Sequence, residues 1–134
     1  MASGTYNRFK ANLMNKIVDL EGDTIKIALL NNSHSFTATH NTWSQVSANE
    51  VSGTGYTAGG ATLAGKAVTQ ASTTKWDATD VTWSTATITA YHAVIVDITA
   101  TSNLICSIDL GGAQTVTAAD LTIQFDTAGI ITLA

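Results

Sequence analysis

The side chains best suited to chemistry in this chain are its 3 histidines. His34 and His40 lie in one polar segment and could approach each other as two ligands of a metal ion. A zinc site takes three or four protein ligands, and neither a cysteine nor a group of acids lies near this pair in the sequence. His92 lies within an alternating apolar run, where we expect a buried histidine of the core or of an interface. We therefore predict neither a metal site nor a cofactor.

The aspartates and glycines also lack the spacing of a catalytic site. Asp77 and Asp80 bracket a predicted turn and Asp126 begins another, and a carboxylate at a turn commonly bonds the nearby backbone. A calcium loop needs six or more oxygen ligands, and no segment has EF-hand-like spacing. Gly53-Thr54-Gly55 does not join a strand to a helix, so it does not fit a phosphate-binding loop. These patterns predict that the protein is not an enzyme.

The tryptophans offer binding as an alternative to catalysis. Trp43 and Trp76 could form a platform for a sugar ring, which leaves a carbohydrate-binding module open. Trp83 lies in a predicted strand and is expected in the core. Trp43 lies in a polar segment and is therefore the best candidate for an exposed aromatic anchor.

The composition indicates a surface with few ions. Charged residues make up 12% of the 134 residues and hydrophobic residues 45%, whereas charged residues ordinarily make up about a quarter of a domain. Thr, Ser, Asn and Gln must cover the surface instead, and threonine suits a pleated, half-exposed strand. Few ions need to be desolvated when such a surface packs against another protein.

Charge is distributed unevenly along the chain, whose net charge is -4. All 6 Lys and Arg residues lie at or before Lys75, and every charged residue from Asp77 onward is an aspartate. Arg8, Lys10 and Lys16 fall on a predicted helix, and no basic stripe of the kind that binds nucleic acid follows them. We predict no nucleic-acid partner. The separation of charge could instead help neighbouring copies dock head to tail.

Hydrophobic periodicity places one helix ahead of the strands. Apolar residues spaced by three or four positions predict an amphipathic helix over about residues 5–21. Residues 24–30 alternate and predict a strand. Residues 31–60 are expected to form a long polar loop, in which Thr42 and Gln45 have the spacing of a capping box around a short helical turn.

A sheet is predicted over about residues 61–134. The longest strand is apolar on both faces, so it should be central or lie under a partner. Closely spaced strands predict a mainly β fold, either an antiparallel β-sandwich or an open barrel, in one domain over residues 1–134. The expected strands lie near residues 61–70, 80–84, 86–98, 103–110, 114–117, 120–125 and 129–133, with Gly111-Gly112 among the breaks.

Neither a secretion signal nor a membrane segment is predicted. The N-terminus lacks a charged and then apolar pattern, and no apolar run approaches the roughly 20 residues of a membrane span. The lone Cys106 lies in an apolar strand and is expected to be a small buried hydrophobe. We expect a soluble protein made in a cytoplasm, with no membrane partner.

An ordered series of segments extends over nearly the whole chain: Tyr6–Lys10, Asp23–Leu30, Glu50–Gly60 with Leu63, Val81–Trp83, Ala90–Asp97 and Ile108–Gly112. In this order they resemble a family of small virion structural proteins encoded by tailed bacteriophages and prophages. His92 departs from the family pattern, which has a more ordinary strand residue at this point, and its role is left open.

The resemblance implies a head decoration protein, also called a cement protein. Such a protein binds the major capsid protein on the outside of the assembled shell, as a homo-oligomer with a trimer favoured. The implied location is the capsid surface of the virion, after synthesis in the cytoplasm of the bacterial host. A tail or fibre-attachment component and a carbohydrate-binding module for host attachment remain the alternatives. The residues expected to contact a partner are Tyr6, Phe9, Trp43, Tyr56, Gly59 and Gly60.

Overall fold

Two antiparallel sheets and a short N-terminal helix form a mainly β, sandwich-like fold in the computed structural model, which describes residues 3–134. The elements in chain order are β1 (Gly4–Thr5), α1 (Asn7–Met14), β2 (Ile25–Leu30), the 3₁₀ turns η1 (Trp43–Gln45) and η2 (Ser47–Asn49), β3 (Ala61–Thr62), β4 (Ala67–Thr69), β5 (Thr74–Asp77), β6 (Val81–Asp97), β7 (Asn103–Ile123) and β8 (Ile131–Leu133). The sandwich confirms one of the two predicted architectures.

The long pair β6–β7 forms the centre of the larger sheet, whose strand order is β1-β7-β6-β2-β3. β6 is 17 residues long and β7 is 21. The two strands pair from Val81 opposite Ile123 to Asp97 opposite Asn103. β2 pairs with the second half of β6, and that half is buried on both faces, as predicted for a central strand.

The smaller sheet has the order β4-β5-β8 and is centred on Trp76. Val68 and Ile131 lie opposite Trp76 on the two neighbouring strands, so the three side chains share one face. Trp76 is 2% exposed, and its indole N–H donates to the Leu20 carbonyl oxygen at 3.0 Å. This bond joins the smaller sheet to the segment that follows α1.

Both faces of the larger sheet are apolar, because alternate residues of β2 and β6 point to opposite sides. Both faces are also covered by other parts of the chain. On one side, Ile27 and Ile95 belong to a cluster that includes Trp76 of the smaller sheet and Phe9 of α1. On the other side lies a second cluster, closed by Val46 from residues 31–60. The buried members of this second cluster are Tyr6, Ala28, Leu30, Val46, Val94, Val96 and Leu104.

The helix predicted over residues 5–21 is wrong in its extent, since α1 covers only Asn7–Met14. The chain reverses at Lys16, whose φ is 62°. The N–H of Ile17 then donates to the Asn12 carbonyl oxygen at 2.9 Å. The apolar spacing therefore continues past the helix without helical backbone, a pattern that periodicity alone does not reveal.

The strand boundaries also differ from the prediction. Gly111-Gly112 does not end a strand, because β7 bulges over residues 110–113 and then resumes its pairing with β6. The predicted strand over 61–70 is divided into β3 and β4, and β5 was not predicted. A bulge adds residues to one strand while its partner continues, so a glycine pair within a long strand is compatible with the ladder.

Candidate functional site

Residues 31–60, hereafter the arm, fold back across the larger sheet. Isolated bridges pair Leu30 with Glu50, and pair Thr42 and Thr54 of the arm with β7 and β6. The predicted capping box is confirmed, with the Thr42 and Gln45 side chains closing η1. The longest strand was predicted to be central or to lie under a partner. One of its apolar faces is covered by the protein's own arm.

Glu50 is the residue that fastens the glycine-rich end of the arm. Its Oε2 accepts the Tyr56 hydroxyl at 2.7 Å and the Gly59 N–H at 2.7 Å. The Tyr56 oxygen in turn accepts the N–H of Leu29 in β2 at 3.1 Å. Burial and the bond to Glu50 raise the pKa of Tyr56, so its hydroxyl stays protonated as a donor. A chain of hydrogen bonds therefore runs from β2 through Tyr56 to Glu50.

Gly60 brings the arm into backbone contact with β2. Its φ is +82°, in the left-handed region that favours glycine. A Cβ at this position would collide with the Ile27 carbonyl oxygen and lie 2.7 Å from the Ala28 Cα. The close approach predicted for Gly59 and Gly60 is found within the chain at Gly60, where it holds the arm against the sheet. A Cβ at Gly59 would lie no closer than 3.9 Å to any neighbour, the Lys26 Nζ.

The predicted aromatic anchors separate into different environments. Trp43 is half-buried and packs on the cluster that the arm closes. Trp76 is buried in the smaller sheet, so the two do not form an exposed platform for a sugar. Trp83 is 5% exposed, which confirms its prediction as a core residue. Tyr56 is half-buried, with its ring 6.1 Å from that of Trp83.

Tyr6 and Phe9 do not fit their predicted role as partner contacts. They are 0% and 3% exposed, in the two apolar clusters on opposite sides of the larger sheet. The Tyr6 ring lies 5.0 Å from that of Phe36, and burial raises the pKa of Tyr6 to about 12. Both side chains pack inside the protein and are not available to a partner, because this part of the apolar stripe faces the core.

His34 of the arm and His92 of β6 form a buried pair. His34 is 1% exposed, and its Nε2 lies 3.0 Å from the Ser107 Oγ. Its ring is 5.0 Å from that of His92, in an edge-on arrangement. Burial, followed by the nearby His92 and His40, lowers the pKa of His34 to about 4. Burial also lowers the pKa of His92, which is a core residue as predicted.

Asp97 is a second buried ionisable group, at the end of β6. It is 1% exposed, and its Oδ1 accepts the Ala100 N–H at 3.0 Å. Burial, together with the neighbouring Asp23 carboxyl, raises the pKa of Asp97 to about 7. Burial thus favours the neutral form of the Asp97 carboxyl, and it also favours the neutral forms of His34 and His92.

Comparisons with protein-family models, curated proteins and solved structures found no match to this chain. Within residues 3–134, no three His, Cys, Asp or Glu side chains are placed to hold a metal ion. The same residues contain no helix long and apolar enough to cross a bilayer. The arm, with its fastening by Glu50, Tyr56 and Gly60, is the best-defined candidate site.

Sequence reasoning missed the roles of Glu50 and Asp97 and the contact between His34 and Ser107. Glu50 could have been found, because it is the only Asp, Glu, Lys or Arg in the arm and adjoins the glycine-rich run. Asp97 gave a weaker signal, an acid directly after four apolar residues of a strand. The contact between His34 and Ser107 gave none, because the two residues are 73 positions apart.

Substituting Gly60 by alanine should destabilise the protein more than the same change at Gly111. Both glycines have a positive φ, +82° and +80°, but a Cβ at Gly111 meets nothing within 4 Å. We expect Gly111→Ala to cost about 1 kcal/mol of unfolding free energy for the backbone alone. Gly60→Ala should cost at least about 2 kcal/mol more, because the β2 backbone must move. Urea unfolding of both variants measures the difference, and equal losses would contradict the close contact.

The two buried ionisable groups should give stability opposite dependences on pH. The pKa of His34 falls from 6.5 to about 4 on folding, so the unfolded chain binds the extra proton and His34's contribution is lost as pH falls from 6.5 to 4. The pKa of Asp97 rises from 3.8 to about 7, so its contribution is present at low pH and is lost as pH rises from 4 to 7.

Single substitutions separate these contributions. Between pH 6.5 and 4, Asp97→Asn should lose about 1–2 kcal/mol of unfolding free energy relative to wild type, because only the His34 effect remains. His34→Gln should gain a similar amount over the same interval. Urea titrations of the three proteins at several pH values test this, and parallel pH profiles would show that neither group is buried as described.

Proposed function

We propose that this protein is a structural component of a tailed-bacteriophage virion, a head decoration protein that binds the outer surface of the capsid and stabilises it. Its partner is the major capsid protein, and it acts without catalysis or a cofactor. Two kinds of support meet in this proposal: the family resemblance of the ordered segments from Tyr6–Lys10 to Ile108–Gly112, and the character of the surface that the arm presents.

The observation that carries the proposal is that the exposed side of the arm bears no aspartate, glutamate, lysine or arginine that is free of a partner. Glu50 is its only Asp, Glu, Lys or Arg, and that carboxylate is engaged by Tyr56 and Gly59. The exposed positions of its second half are small or hydroxyl-bearing, namely Ser52, Gly53, Thr54, Gly55, Thr57 and Ala58. A partner can cover such a surface without desolvating an ion.

The arm also has a fixed conformation before any partner binds. The bridges to β2, β6 and β7 and the hydrogen bonds of Glu50 hold it on the sheet. Binding therefore loses little loop entropy, which is one of the main costs of association. A rigid and neutral surface is suited to repeated contact with identical capsid subunits.

Many weak contacts become firm attachment when they are linked. The expected oligomer is a trimer. Once one copy of an oligomer is bound, the effective concentration of the other copies over the capsid lattice is raised. Bridging between capsid subunits then resists expansion of the shell. A tail or fibre-attachment component would use the same neutral surface but would occur at ring or tail copy numbers.

A pair of charges placed on the arm should weaken binding to decoration-free heads. Thr57 and Ala58 are exposed, so we expect Thr57→Glu with Ala58→Lys to leave the melting temperature within about 2 °C of wild type. The same pair of charges should weaken co-sedimentation with purified shells at least tenfold, because both ions would have to be desolvated at the contact.

The matched control is Gln70→Glu with Ala71→Lys, two exposed positions outside the arm. This variant should bind shells as wild type does. Wild-type protein that never binds heads, or that imaging finds only at the tail, would contradict the decoration role. Retention of glycans by the wild type and not by Trp43→Ala would favour the carbohydrate-binding alternative.

A further inference from the structure

Two large apolar side chains protrude where the chain leaves α1. Met14 is 88% exposed and Ile17 is 53% exposed; together they are called the knob. The turn that presents them is well defined, because Lys16 has a φ of 62° and the Ile17 N–H donates to the Asn12 carbonyl oxygen. Exposed apolar groups that lie together on a folded surface often mark a protein contact.

A groove with apolar walls lies elsewhere on the same molecule. It runs between β1 and β7 on one side and residues 124–132 on the other, with a volume of 640 Å³. Its apolar lining includes the half-buried Leu110, Phe125 and Ile130. None of the knob residues lines this groove, so one copy of the protein offers a protrusion and a recess at separate places.

The charges beside these two surfaces are complementary. Lys10 and Lys16 flank the knob and are exposed, and their ammonium groups form no ion pair or hydrogen bond with another described residue. Asp126 lines the groove and is exposed, with its Oδ1 accepting the Ala128 N–H at 2.8 Å. The described lining of the groove contains no lysine or arginine, and the ammonium of the nearby Lys75 is bonded to the Thr127 carbonyl oxygen at 2.7 Å. Opposite charges at the rims would steer and orient a contact between these surfaces.

We propose that the knob of one copy inserts into the groove of a second copy. Met14 and Ile17 would pack against Leu110, Phe125 and Ile130, with the lysines of one copy facing Asp126 of the next. Such a contact joins two different surfaces, so it is head to tail, and repetition closes a ring where the rotation permits. It gives a physical basis for the uneven charge of the chain, in which no lysine or arginine follows Lys75 and every charged residue after it is an aspartate.

This inference rests on the proposed role as a self-associating structural protein and names the surfaces that associate. It concerns purified protein alone, whereas the shell-binding assay concerns the arm. If the protein is a monomer but still binds shells, the proposed knob contact is wrong and the decoration role stands. If the protein self-associates but does not bind shells, the decoration role is wrong and the knob contact stands.

The test uses two variants, each defective in one surface. Met14→Asp with Ile17→Asp disables the knob and leaves the groove intact. Gln124→Arg with Asp126→Lys places positive charges in the groove at two exposed positions and leaves the knob intact. Sedimentation velocity over about a hundredfold range of concentration should show wild-type oligomers and at least tenfold weaker self-association of each variant.

Mixing the two variants decides the geometry of the contact. Each supplies the surface that the other lacks, so an equimolar mixture should form a dimer of two 13.9 kDa chains and nothing larger. A wild-type protein that stays monomeric, variants that assemble as wild type, or a mixture that forms no dimer would each overturn the proposal. Thermal unfolding shows whether the fold of each variant is intact. Met14→Asp with Ile17→Asp should melt within about 2 °C of wild type. Gln124→Arg with Asp126→Lys should melt within about 5 °C, because it loses the bond between Asp126 and the Ala128 N–H.

A charge exchange provides an independent readout. Lys10→Glu with Lys16→Glu should lose self-association alone and regain it when mixed with the Gln124→Arg, Asp126→Lys variant, because the rim charges are then opposite again. Recovery should weaken as salt is raised, since exposed pairs are screened beyond about 10 Å at 0.1 M salt. Failure of this mixture to associate would mean that the two rims do not meet.

Discussion

The structure depends on covering both faces of one long antiparallel pair. β6 and β7 are apolar toward both sides where β2 joins them, and an uncovered apolar face costs roughly 25 cal/mol per Å². The smaller sheet and α1 cover one face. The other is covered by the arm, in which Val46 is 1% exposed. A segment that looks like a loop in the sequence is therefore part of the fold.

The same constraint explains why the arm carries so little charge. Its inner side must pack on the sheet, and its one carboxylate, Glu50, is engaged by Tyr56 and Gly59. What remains on the outside is hydroxyl groups, small residues and glycine backbone. The outer side of the arm can therefore be neutral while its inner side packs on the sheet. The arm both covers the core and presents the proposed contact surface.

Periodicity predicted the parts of this fold that are governed by local pattern. The alternation in residues 24–30, the strand around His92 and the capping box at Thr42 all took their predicted forms. The end of α1 could not be predicted in this way, because the apolar spacing continues through Ile17 although Lys16 adopts a positive φ. The contact of Gly60 with Ile27 and that of His34 with Ser107 join distant positions, and a single sequence carries no local sign of either.

The claim on which the functional proposal depends is that the arm is held in one conformation in the free protein. Amide hydrogen exchange measures this directly. The N–H groups of Gly59, Leu29 and Val51 are bonded to Glu50, to Tyr56 and to the Leu29 carbonyl oxygen, respectively. They should exchange at least a hundredfold more slowly than in an unfolded chain, an opening free energy of about 2.7 kcal/mol or more. Exchange of the Gly59 and Val51 amides at the unfolded rate, with β6 still protected, would show that the arm is mobile and contradict its role as a preformed surface.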